Sequence, residues 1–542
     1  MPRRGAAVAG AGLVLLTLAT GQFLMTLDSS VMNVSIATVA ADVGTTVSGI
    51  QTAITLYMLV MATTMITGGK IGTIIGRRHA FAIGCIVYGA GSMTTALAPD
   101  LTVLLFGWSL LEGLGAALIL PAIVALVAAN FPPEGRTRAY GLVAAAGAVA
   151  VGVGPVLGGL VTTYFSWRWV FAGEVVLVLL ILALTRRVRD TPPPETRPRL
   201  DLVGTGLSMA GLGMIVFGIL KASAWGLVRA KAGGPDLLGL SPTIWLILAG
   251  ALVLYGFFSW EDRLVDRGGE PLFDPAILKI SHLLGGLMTF MFQFFLQGAV
   301  FFIVPLFLSV ALGLSAIDTG LRVLPLSLAL LVAAIGIPRM RPQANPRRVS
   351  RIGILLILAG IVVLVGGIDI DADAGVVLWP MLLIGFGIGA LASQLGAVTV
   401  SAVPDDQAAE VGGLQNTFTN LGASLGTAIA GTVLLFVLTS AFLTNVTDNP
   451  AIPQKVKDAA DVELASGIPF MSDADLEEAM QAAGQGAEVT QAAVEANRAA
   501  RIEALDVALM VVAVIGVVAL FPTRRIPKQH PGAAPPDGAA AG

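Results

Sequence analysis

Residues 12–39 read GLVLLTLATGQFLMTLDSSVMNVSIATV, a long apolar run that contains a single carboxylate, Asp28. If this run is a helix that rises about 1.5 Å per residue, Asp28 lies roughly 24 Å beyond Gly12. A tilted helix would keep Asp28 inside a hydrocarbon core about 30 Å thick. Because a carboxylate at that depth costs at least about 2.5 kcal/mol, the position predicts a functional group.

The composition identifies the class of protein. Hydrophobic residues make up 56% of the 542 residues and charged residues 12%, whereas soluble domains contain about 25% charged residues. We therefore expect an integral membrane protein. The net charge of −3 argues against a nucleic-acid partner. A single cysteine, Cys85, excludes an internal disulfide and a thiolate metal site. We predict no metal site, cofactor or catalytic residue.

Fourteen apolar segments follow one another along the chain, and all are predicted to be helices. They are long, contain many Gly and Ala residues, and lack the alternating polarity of barrel strands. The segments are 12–39, 47–69, 79–98, 101–130, 138–164, 168–186, 202–221, 242–260, 282–311, 316–338, 352–368, 376–403, 411–443 and 504–522.

The basic residues predict the orientation of these segments. With the N-terminus in the cytoplasm, twenty-three of the 32 Lys and Arg residues fall on the inner side, as the positive-inside rule requires. Both termini are therefore predicted to be cytoplasmic, in a bacterial inner membrane.

The chain divides into three predicted regions. Residues 1–190 and 276–542 would each form a half of six helices, and 191–275 would hold linkers and an inserted pair, spans 7 and 8. Two such halves around a central site are a known transporter architecture. The last region includes a cytoplasmic tail, 523–542, and an acidic outer segment, 446–503, which would be a solvated helical cover or a negative funnel for cations.

Five motifs together resemble the fourteen-span drug:proton antiporter branch of the major facilitator superfamily. They occur in the order that the branch shows, spread over nearly the whole chain. They are LDSSVMNV at 27–34, GKIGTIIGRR at 69–78, GVGPVLGG at 152–159, WRWVF at 167–171, and GLQNT at 413–417 followed by LG at 421–422.

The resemblance implies roles for several residues, and a simpler interpretation stands beside each. Glycines in the 152–159 motif would form a conformational hinge or a seal against proton leak, although membrane helices also use glycine for packing. The arginines of the 69–78 motif would form an inner latch, or only anchor the helix ends. The residues predicted to control conformation are Gly69, Gly76, Arg77, Arg78, Gly154, Pro155, Gly158 and Gly159.

Two positions depart from the family pattern. The loop motif has Thr73 where the family has Asp, so the inner latch would be weakened or rebuilt. Span 4 has Ser109 where the family usually has Arg, and Glu112 where it usually has Gln. Glu112 lies roughly 17 Å into its helix, near the midplane. By resemblance, Asp28 and Glu112 would face each other in the central cavity of the N-terminal half.

Two carboxylates in a low-dielectric cavity cannot easily both be ionised, so Asp28 and Glu112 would titrate as a pair. Such a pair could load a proton on one side, release it on the other, and bind a cationic substrate when deprotonated. We therefore predict Asp28 and Glu112 as the proton-coupling residues. The alternative is that Glu112 serves only the structure. Glu174 is interpreted as a structural partner of Arg168, with a functional role as the alternative, and Asp201 as a helix cap.

Phenylalanines cluster in span 9, together with two glutamines, and could either pack the core or line an adaptable pocket for amphiphiles. Asn33 in the first motif and two amides in span 13 are added to this prediction. The predicted substrate-binding residues are Asn33, Gln293, Phe294, Gln297, Phe301, Gln415 and Asn416.

We therefore expect a proton-coupled exporter of amphiphilic drugs that works by alternating access. The same fold could instead export an endogenous lipid or a secondary metabolite. A membrane-embedded lipid-modifying enzyme is the third hypothesis, but it would need a catalytic cluster that the sequence lacks. The chain has no phosphate-binding loop, which excludes direct use of ATP. The expected partners are protons, membrane lipids and the substrate, and the family expectation is a monomer.

Overall fold

The computed structural model describes residues 2–131, 133–190, 199–230, 234–272, 274–341, 343–370, 372–403, 408–449, 454 and 470–529. This part of the chain is helical. The first helices are α1 (Pro2–Asp42), α2 (Val47–Ile75), α3 (Arg77–Ala96), α4 (Leu101–Leu104, then Leu105–Glu112 as a π-helix, then Gly113–Asn130), α5 (Pro133–Tyr164) and α6 (Arg168–Thr185). The next are α7 (Leu202–Trp225), α8 (Pro242–Asp266), α9 (Ser281–Leu306), α10 (Ala316–Met340), α11 (Pro346–Val365), α12 (Leu378–Val400), α13 (Ala408–Asp448), α14 (Asp473–Ala482) and α15 (Ala487–Val518).

Local sequence fixes many helix ends. Asp100 and Asp201 cap α4 and α7, each accepting a backbone N–H of the first turn, and the predicted cap at Asp201 is confirmed. Ser241 precedes a proline at the first position of α8. Gly76 has a φ of 95°, a conformation that favours glycine, and it turns the chain from α2 into α3.

Twelve helices in the described residues are long and apolar enough to cross a membrane. They include the first two predicted spans and the predicted inserted pair, α7 and α8. The remaining two predicted spans are the helices α3 and α5. The first turn of α3 carries Arg77, Arg78 and His79, which lower its mean hydropathy, and the apolar stretch of α5 that can be described, Val149–Tyr164, is shorter.

Close helix pairs build two groups of helices. In the first group α1 packs on α5, and α3 packs on α4 and α6. In the second group α9 packs on α13, and α10 and α11 pack on α12. Two seams join the groups, one between α5 and α10 and one between α2 and α13.

The acidic segment 446–503 contains a short helix, α14, that docks onto the longer helix α15. Ser472 caps α14 through a reciprocal bond with Asp475. Asp473 pairs with Arg498 and with Arg501, a buried arginine that also donates to the carbonyl of Met471 at 2.9 Å. Residues 450–453 and 455–469 of this segment lie outside the described residues.

Candidate functional site

Three carboxylates lie together inside the first group of helices. Asp28 on α1 is 1% exposed, Glu112 on α4 is 0% exposed, and Glu174 on α6 is 1% exposed. One carboxylate oxygen from each lies within 4.8 Å of the others. The structure thus brings Asp28 and Glu112 together and adds a third carboxylate to them. We call these three residues the carboxylate cluster.

Each carboxylate of the cluster accepts a hydrogen bond through one oxygen. The indole Nε1 of Trp108 donates to Asp28 Oδ1 at 2.9 Å. Glu112 Oε1 accepts from Thr95 Oγ1 at 3.1 Å. Glu174 Oε2 accepts from the Tyr88 hydroxyl at 3.1 Å and from Ser92 Oγ at 3.0 Å. Donors from α3 and α4 therefore orient all three groups.

The second oxygen of each carboxylate is buried and has no hydrogen-bond partner among the described residues. These atoms are Asp28 Oδ2, Glu112 Oε2 and Glu174 Oε1. No described Lys, Arg or His forms an ion pair with any of them. Several negative charges this close together, without a counter-ion and away from water, would repel strongly. The cluster must therefore hold protons or another cation when it is closed in this way.

Protons suit the cluster better than a divalent metal. Ca²⁺ takes 6–8 oxygen ligands, and Mg²⁺ requires a near-octahedral set and usually keeps several waters. The cluster offers three open carboxylate oxygens in a fully buried position. A proton needs only one of these oxygens, and a protonated carboxyl can donate to its neighbour.

The helix backbones explain how these side chains come so close. A Cβ on Gly91 would lie 2.6 Å from Glu112 Cγ, and one on Gly107 would lie 2.7 Å from Thr95 Oγ1. Glycine at both positions therefore lets α3 and α4 approach closely. The π-helical stretch of α4 ends at Glu112, and such stretches are frequent at functional sites. A stacked aromatic pair, Tyr57 and Trp108, covers the cluster, with ring centroids 5.1 Å apart.

The described cavity lies apart from the three carboxylates, and the position of Asp28 and Glu112 in a central cavity stays a prediction. A cavity of about 420 Å³ lies where α2, α4 and α13 meet the segment before α9, and none of the three carboxylates lines it. It carries the basic residues Lys70 and Arg77, so we call this side of the bundle the basic end. Asp28 and Glu112 do lie next to each other, but they point into the packing between α1, α3, α4 and α6. The reason is that their donors come from α3 and α4.

Glu174 is not the partner of Arg168, so that prediction is wrong. The Arg168 guanidinium pairs with Asp42 at the end of α1 and donates to the Ala98 carbonyl at 2.7 Å. Glu174 lies almost two turns further along α6 and points the other way, toward Tyr88. Its inclusion in the cluster was missed, although α3 carried a signal. Tyr88, Ser92 and Thr95 are spaced i, i+4 and i+7, which places three hydroxyls on one helix face.

The predicted substrate residues other than Asn33 of α1 lie on α9 and α13 and do not line the described cavity. Gln293 is 3% exposed, and its Oε1 has no partner among the described residues. Gln297, Phe294 and Phe301 are half-buried. Gln415 accepts from Thr399 Oγ1 at 3.0 Å on α12, and Asn416 donates to the Gly412 carbonyl at 3.0 Å. The Asn33 side chain lies outside the described part. Substrate binding by these residues stays a prediction.

The glycines of the 152–159 motif lie in close helix contacts. Cβ atoms on Gly154 and Gly158 would lie 2.5 Å from Ser30 Cβ and 2.7 Å from Val31 Cγ1 on α1. A Cβ on Gly159 would lie 2.4 Å from the Ala316 carbonyl on α10. In return, a Cβ on Gly320 would lie 2.2 Å from the Pro155 carbonyl. This part of α5 therefore forms the seam with α10 as well as the contact with α1.

The second seam joins α2 and α13 through side chains that bind backbone. Gln51 Nε2 donates to the Thr427 carbonyl at 3.3 Å, and Ser424 Oγ donates to the Thr55 carbonyl at 3.2 Å. Gln51 lies near the start of α2, whereas Lys70, which lines the cavity, lies near the end of that helix. The Gln51 contact is therefore distant from the basic end.

The latch predicted around Arg77 and Arg78 contains a carboxylate from the segment after α6. The Arg78 backbone N–H donates to Asp190 Oδ1 at 3.1 Å, and His79 Nδ1 lies 3.4 Å from Asp190 Oδ2. Asp190 thus supplies an acidic partner at the start of α3, whereas Thr73 lies near the end of α2. Gly69 and Arg77 line the cavity. A gating role for these residues stays a prediction.

Comparisons with known proteins agree with this architecture. The pattern of the Major Facilitator Superfamily matches residues 18–427. The puromycin resistance protein pur8 of Streptomyces alboniger is 31% identical over 81% of this chain and 84% of its own. The probable actinorhodin transporter of Streptomyces coelicolor is 28% identical over 78% of this chain and 72% of its own. The multidrug resistance protein Stp of Mycobacterium tuberculosis is 26% identical over 78% of this chain and 75% of its own.

A solved structure supports the fold alone. A bacterial homologue of the human lysosomal transporter Spinster, in an inward-facing and unoccupied conformation, matches with a TM-score of 0.55. Its sequence is 15% identical, and the match covers 95% of this chain and 98% of that one.

Proposed function

This chain belongs to the major facilitator superfamily, and from that premise we propose that it is a proton-coupled exporter of amphiphilic compounds. It is a transporter rather than an enzyme, and a multi-pass protein of the bacterial cell membrane. Relatives are named for resistance to, or export of, antibiotics and drugs. Export of such compounds and coupling to protons are the parts that we propose.

The carboxylate cluster is the observation that carries the proposal. Three buried carboxylates without a basic partner have to exchange protons whenever they change between a closed and a hydrated environment. A protein that alternates between two access states provides such a change. Proton uptake on one side of the membrane and release on the other would then accompany each cycle. Asp28 and Glu112 are the coupling residues in this scheme, and Glu174 is the third.

Substrate and protons would bind at different places. The cluster is enclosed by α1, α3, α4 and α6, whereas the cavity opens between the two helix groups at the basic end. Direct competition for one carboxylate is therefore not required. Protons are exchanged for substrate if the protonated cluster favours one conformation and the bound substrate favours the other. Each ligand shifts the equilibrium between the two conformations according to the difference in its affinity for them.

The proposed topology has fourteen spans with both termini in the cytoplasm. The twelve apolar helices support it, together with α3 and α5, which have the length of membrane spans. On this topology the two helix groups form the halves 1–190 and 276–542, and α7 and α8 are the inserted pair. The basic end with its cavity would then face the cytoplasm.

The relatives favour a second candidate for the cargo. Several are named for single antibiotics, including puromycin and actinorhodin, and not for drugs in general. Export of one secondary metabolite on the same fold is therefore the alternative to broad drug export. A susceptibility panel with and without the gene separates the two, because a broad exporter protects against many unrelated amphiphiles.

The decisive experiment measures transport driven by an imposed pH gradient in proteoliposomes. We expect Asp28→Asn, Glu112→Gln and Glu174→Gln each to lower pH-driven transport of a lipophilic cation such as ethidium. Glu478→Gln, on the exposed face of α14, is the matched control and should transport normally. If all three cluster variants retain full pH-driven transport, the cluster is not the coupling site.

A further inference from the structure

The inserted helix α7 contacts both helix groups at the α2–α13 seam. Thr205 on α7 lies 3.4 Å from Thr67 on α2, measured between their Oγ1 atoms. Thr432 on α13 donates to the Ile219 carbonyl of α7 at 3.0 Å. The inserted pair therefore lies beside the seam that has to change when the two groups move.

A second pair of carboxylates lies at the ends of the inserted helices, on the side of the basic end. Glu261 near the end of α8 is 0% exposed. Its Oε1 and Asp201 Oδ2 lie 2.2 Å and 2.3 Å from the point where a Cβ on Gly204 would stand. The two oxygens are therefore close neighbours, and glycine provides the space for them. Trp260 Nε1 donates to Asp201 Oδ2 at 2.8 Å, but no donor among the described residues reaches Glu261 Oε1.

The other oxygen of Glu261 holds a short segment that walls the cavity. We call residues 269–272 the strap. Glu261 Oε2 accepts from the Leu272 backbone N–H at 2.8 Å. Lys70 on α2 donates through Nζ to the Pro271 carbonyl at 2.9 Å. All four strap residues line the cavity, so the strap crosses from the inserted pair to the first helix group along the cavity wall.

The strap also reaches the second helix group. Leu272 is 5% exposed and packs in a small apolar cluster with Phe257 of α8 and Val411 and Leu414 of α13. The strap is thus held by Glu261 and by Lys70 and packs with the start of α13, and Arg199 also donates its backbone N–H to Glu270 of the strap. Widening the cavity at the basic end requires at least one of these attachments to open.

We propose that Asp201 and Glu261 share a proton and that this proton keeps the strap closed over the cavity. Glu261 is then a positioning residue of the transport cycle, which acts through the strap. This inference rests on the proposed function in one respect, because it takes the cavity as part of the substrate path.

The electrostatics of the pair explain why the strap would respond to pH. When one carboxyl is protonated, its O–H can donate to the other, and both side chains stay in place. When both are ionised, two close negative charges repel, and the buried Glu261 gains by moving toward water. Its bond to the Leu272 N–H is then lost. Lys70 is the cation that faces Glu261 from α2, and its charge favours the ionised form; Asp201 from α7 opposes that form.

The test measures access to the cavity without any substrate. A thiol is placed on the cavity wall by Thr73→Cys, and its alkylation rate is followed in purified protein between pH 6 and pH 9. Cys85, the one native cysteine, is buried and contributes little background. Glu477→Cys, on the exposed face of α14, gives the rate of a freely accessible thiol for normalisation at each pH.

We expect the normalised rate of the Thr73→Cys protein to rise roughly fivefold or more with pH, as a closed population opens. Glu261→Gln should stay slow throughout, because a glutamine accepts from Leu272 and donates to Asp201 without titrating. Asp201→Asn should also stay slow throughout, and it provides the same test if Glu261→Gln does not fold. Glu261→Ala should be fast at every pH. The control Asp266→Asn, exposed on the same helix, should match the parent.

A rise with pH that persists in both Glu261→Gln and Asp201→Asn would overturn the inference. A flat profile in the parent protein would overturn it as well. Asp28→Asn leaves the Asp201–Glu261 pair intact, so its alkylation rate should still rise with pH whatever the overall rate, while its pH-driven transport falls. Failure of the strap and failure of the proposed proton coupling are therefore distinguishable.

Discussion

The first helix group buries carboxylates, whereas α9–α13 of the second bury only neutral polar groups among their described residues. Helix α15, which packs on α13, adds the buried cation Arg501. Asp28, Glu112 and Glu174 lie within α1–α6. The buried polar residues of α9–α13 are amides and hydroxyls, such as Gln293, Gln394 and Asn420. A neutral amide keeps its charge state as the environment changes, but a carboxylate does not. On the proposed function, proton handling would therefore be concentrated in the first group, while α9–α13 would move relative to it without a change of charge.

The contacts in the two seams bear on how the two helix groups could separate. They include glycines against carbonyls and single hydrogen bonds to backbone, as between Gly159 and Ala316 or Gln51 and Thr427. Side chains that cross a seam, such as Ser327 and Asn420, would have to leave their partners when the groups separate. The free energy that decides which state is populated would then come from the cluster and the substrate.

The largest expected effect concerns the pH dependence of substrate binding. In the wild type, affinity for a lipophilic cation should rise with pH, since the deprotonated cluster favours the substrate-binding state. Coupling between two ligands is typically about 1–3 kcal/mol, or roughly 5- to 150-fold in affinity. Glu112→Gln keeps the shape of the side chain but cannot ionise, so its affinity should change far less with pH. Equilibrium dialysis at pH 5.5 and 8.5 measures this.

If the affinity of Glu112→Gln depends on pH as strongly as that of the wild type, the difference between the two helix groups does not concern proton coupling through Glu112. The same measurement on Asp28→Asn and Glu174→Gln would show which of the three carries most of the coupling. Because the three groups interact, we expect the losses not to add up.

The next effect concerns the α5–α10 seam. Gly159→Val would place side-chain atoms on the Ala316 carbonyl, where even a Cβ would stand at 2.4 Å. Overpacking of this kind typically destabilises by about 1–3 kcal/mol, and here it acts on the closed seam. We expect the state in which this seam is closed to become less populated. Transport should fall roughly tenfold if that state alone is destabilised by about 1.4 kcal/mol.

The control for the seam is Gly173→Ala on α6, where an added Cβ would meet nothing within 4 Å. It should transport normally. Loss of transport in Gly159→Val with an intact melting temperature would place the effect on the conformational balance. Equal transport by both variants would mean that the close approach at the seam is not needed.

A smaller effect is expected from Trp108→Phe. Phenylalanine retains an aromatic ring beside Tyr57 but removes the N–H that donates to Asp28. Leaving a buried acceptor without its donor costs about 1–3 kcal/mol. Thermal denaturation of the purified protein should show this cost as a lower melting temperature. Trp169→Phe is the matched control, because that indole is 66% exposed. Identical melting temperatures for the two variants would contradict the hydrogen bond.

The smallest effect should come from the neutral group. Gln293→Leu removes an amide whose Oε1 has no partner among the described residues. Replacing such a group with an apolar one of similar size is nearly neutral, within about 1 kcal/mol. The free energy of unfolding should change by no more than that, and the pH dependence of affinity for the cation should not change. A flattened pH profile in this variant would extend proton coupling to the second group and remove the asymmetry.

The sequence predicted the fold well because the strongest signals were local. Helix length, hydropathy and helix caps are properties of neighbouring residues, as at Asp201 and Ser472. Two predicted spans, α3 and α5, are not among the twelve apolar helices. For α3 the reason is local, because it begins with three basic residues and carries a stripe of three hydroxyl side chains on one face. That stripe, Tyr88, Ser92 and Thr95, is a local pattern as well, but the carboxylates that it binds lie on other helices.

The candidate site was only partly predictable. Asp28 and Glu112 were singled out because each is a charge within an apolar helix, and both are in the cluster. Glu174 was assigned to the nearest cation along the chain, Arg168, and that assignment failed because Asp42 reaches this cation from another helix. The choice between two partners depended on the packing of α1 against α6, which no local pattern encodes.

By itself, the sequence determined that this chain is a bundle of membrane helices with costly carboxylates inside it, because burial of an apolar segment and the penalty for a charge are set residue by residue. Only the tertiary structure decided where those carboxylates point. It gathered Asp28, Glu112 and Glu174 within one helix group, set Glu261 beside Asp201, and kept all of them off the cavity wall. The physical reason is that contact between side chains of different helices depends on rotation and close approach, which the glycines of the packed helices permit but do not specify.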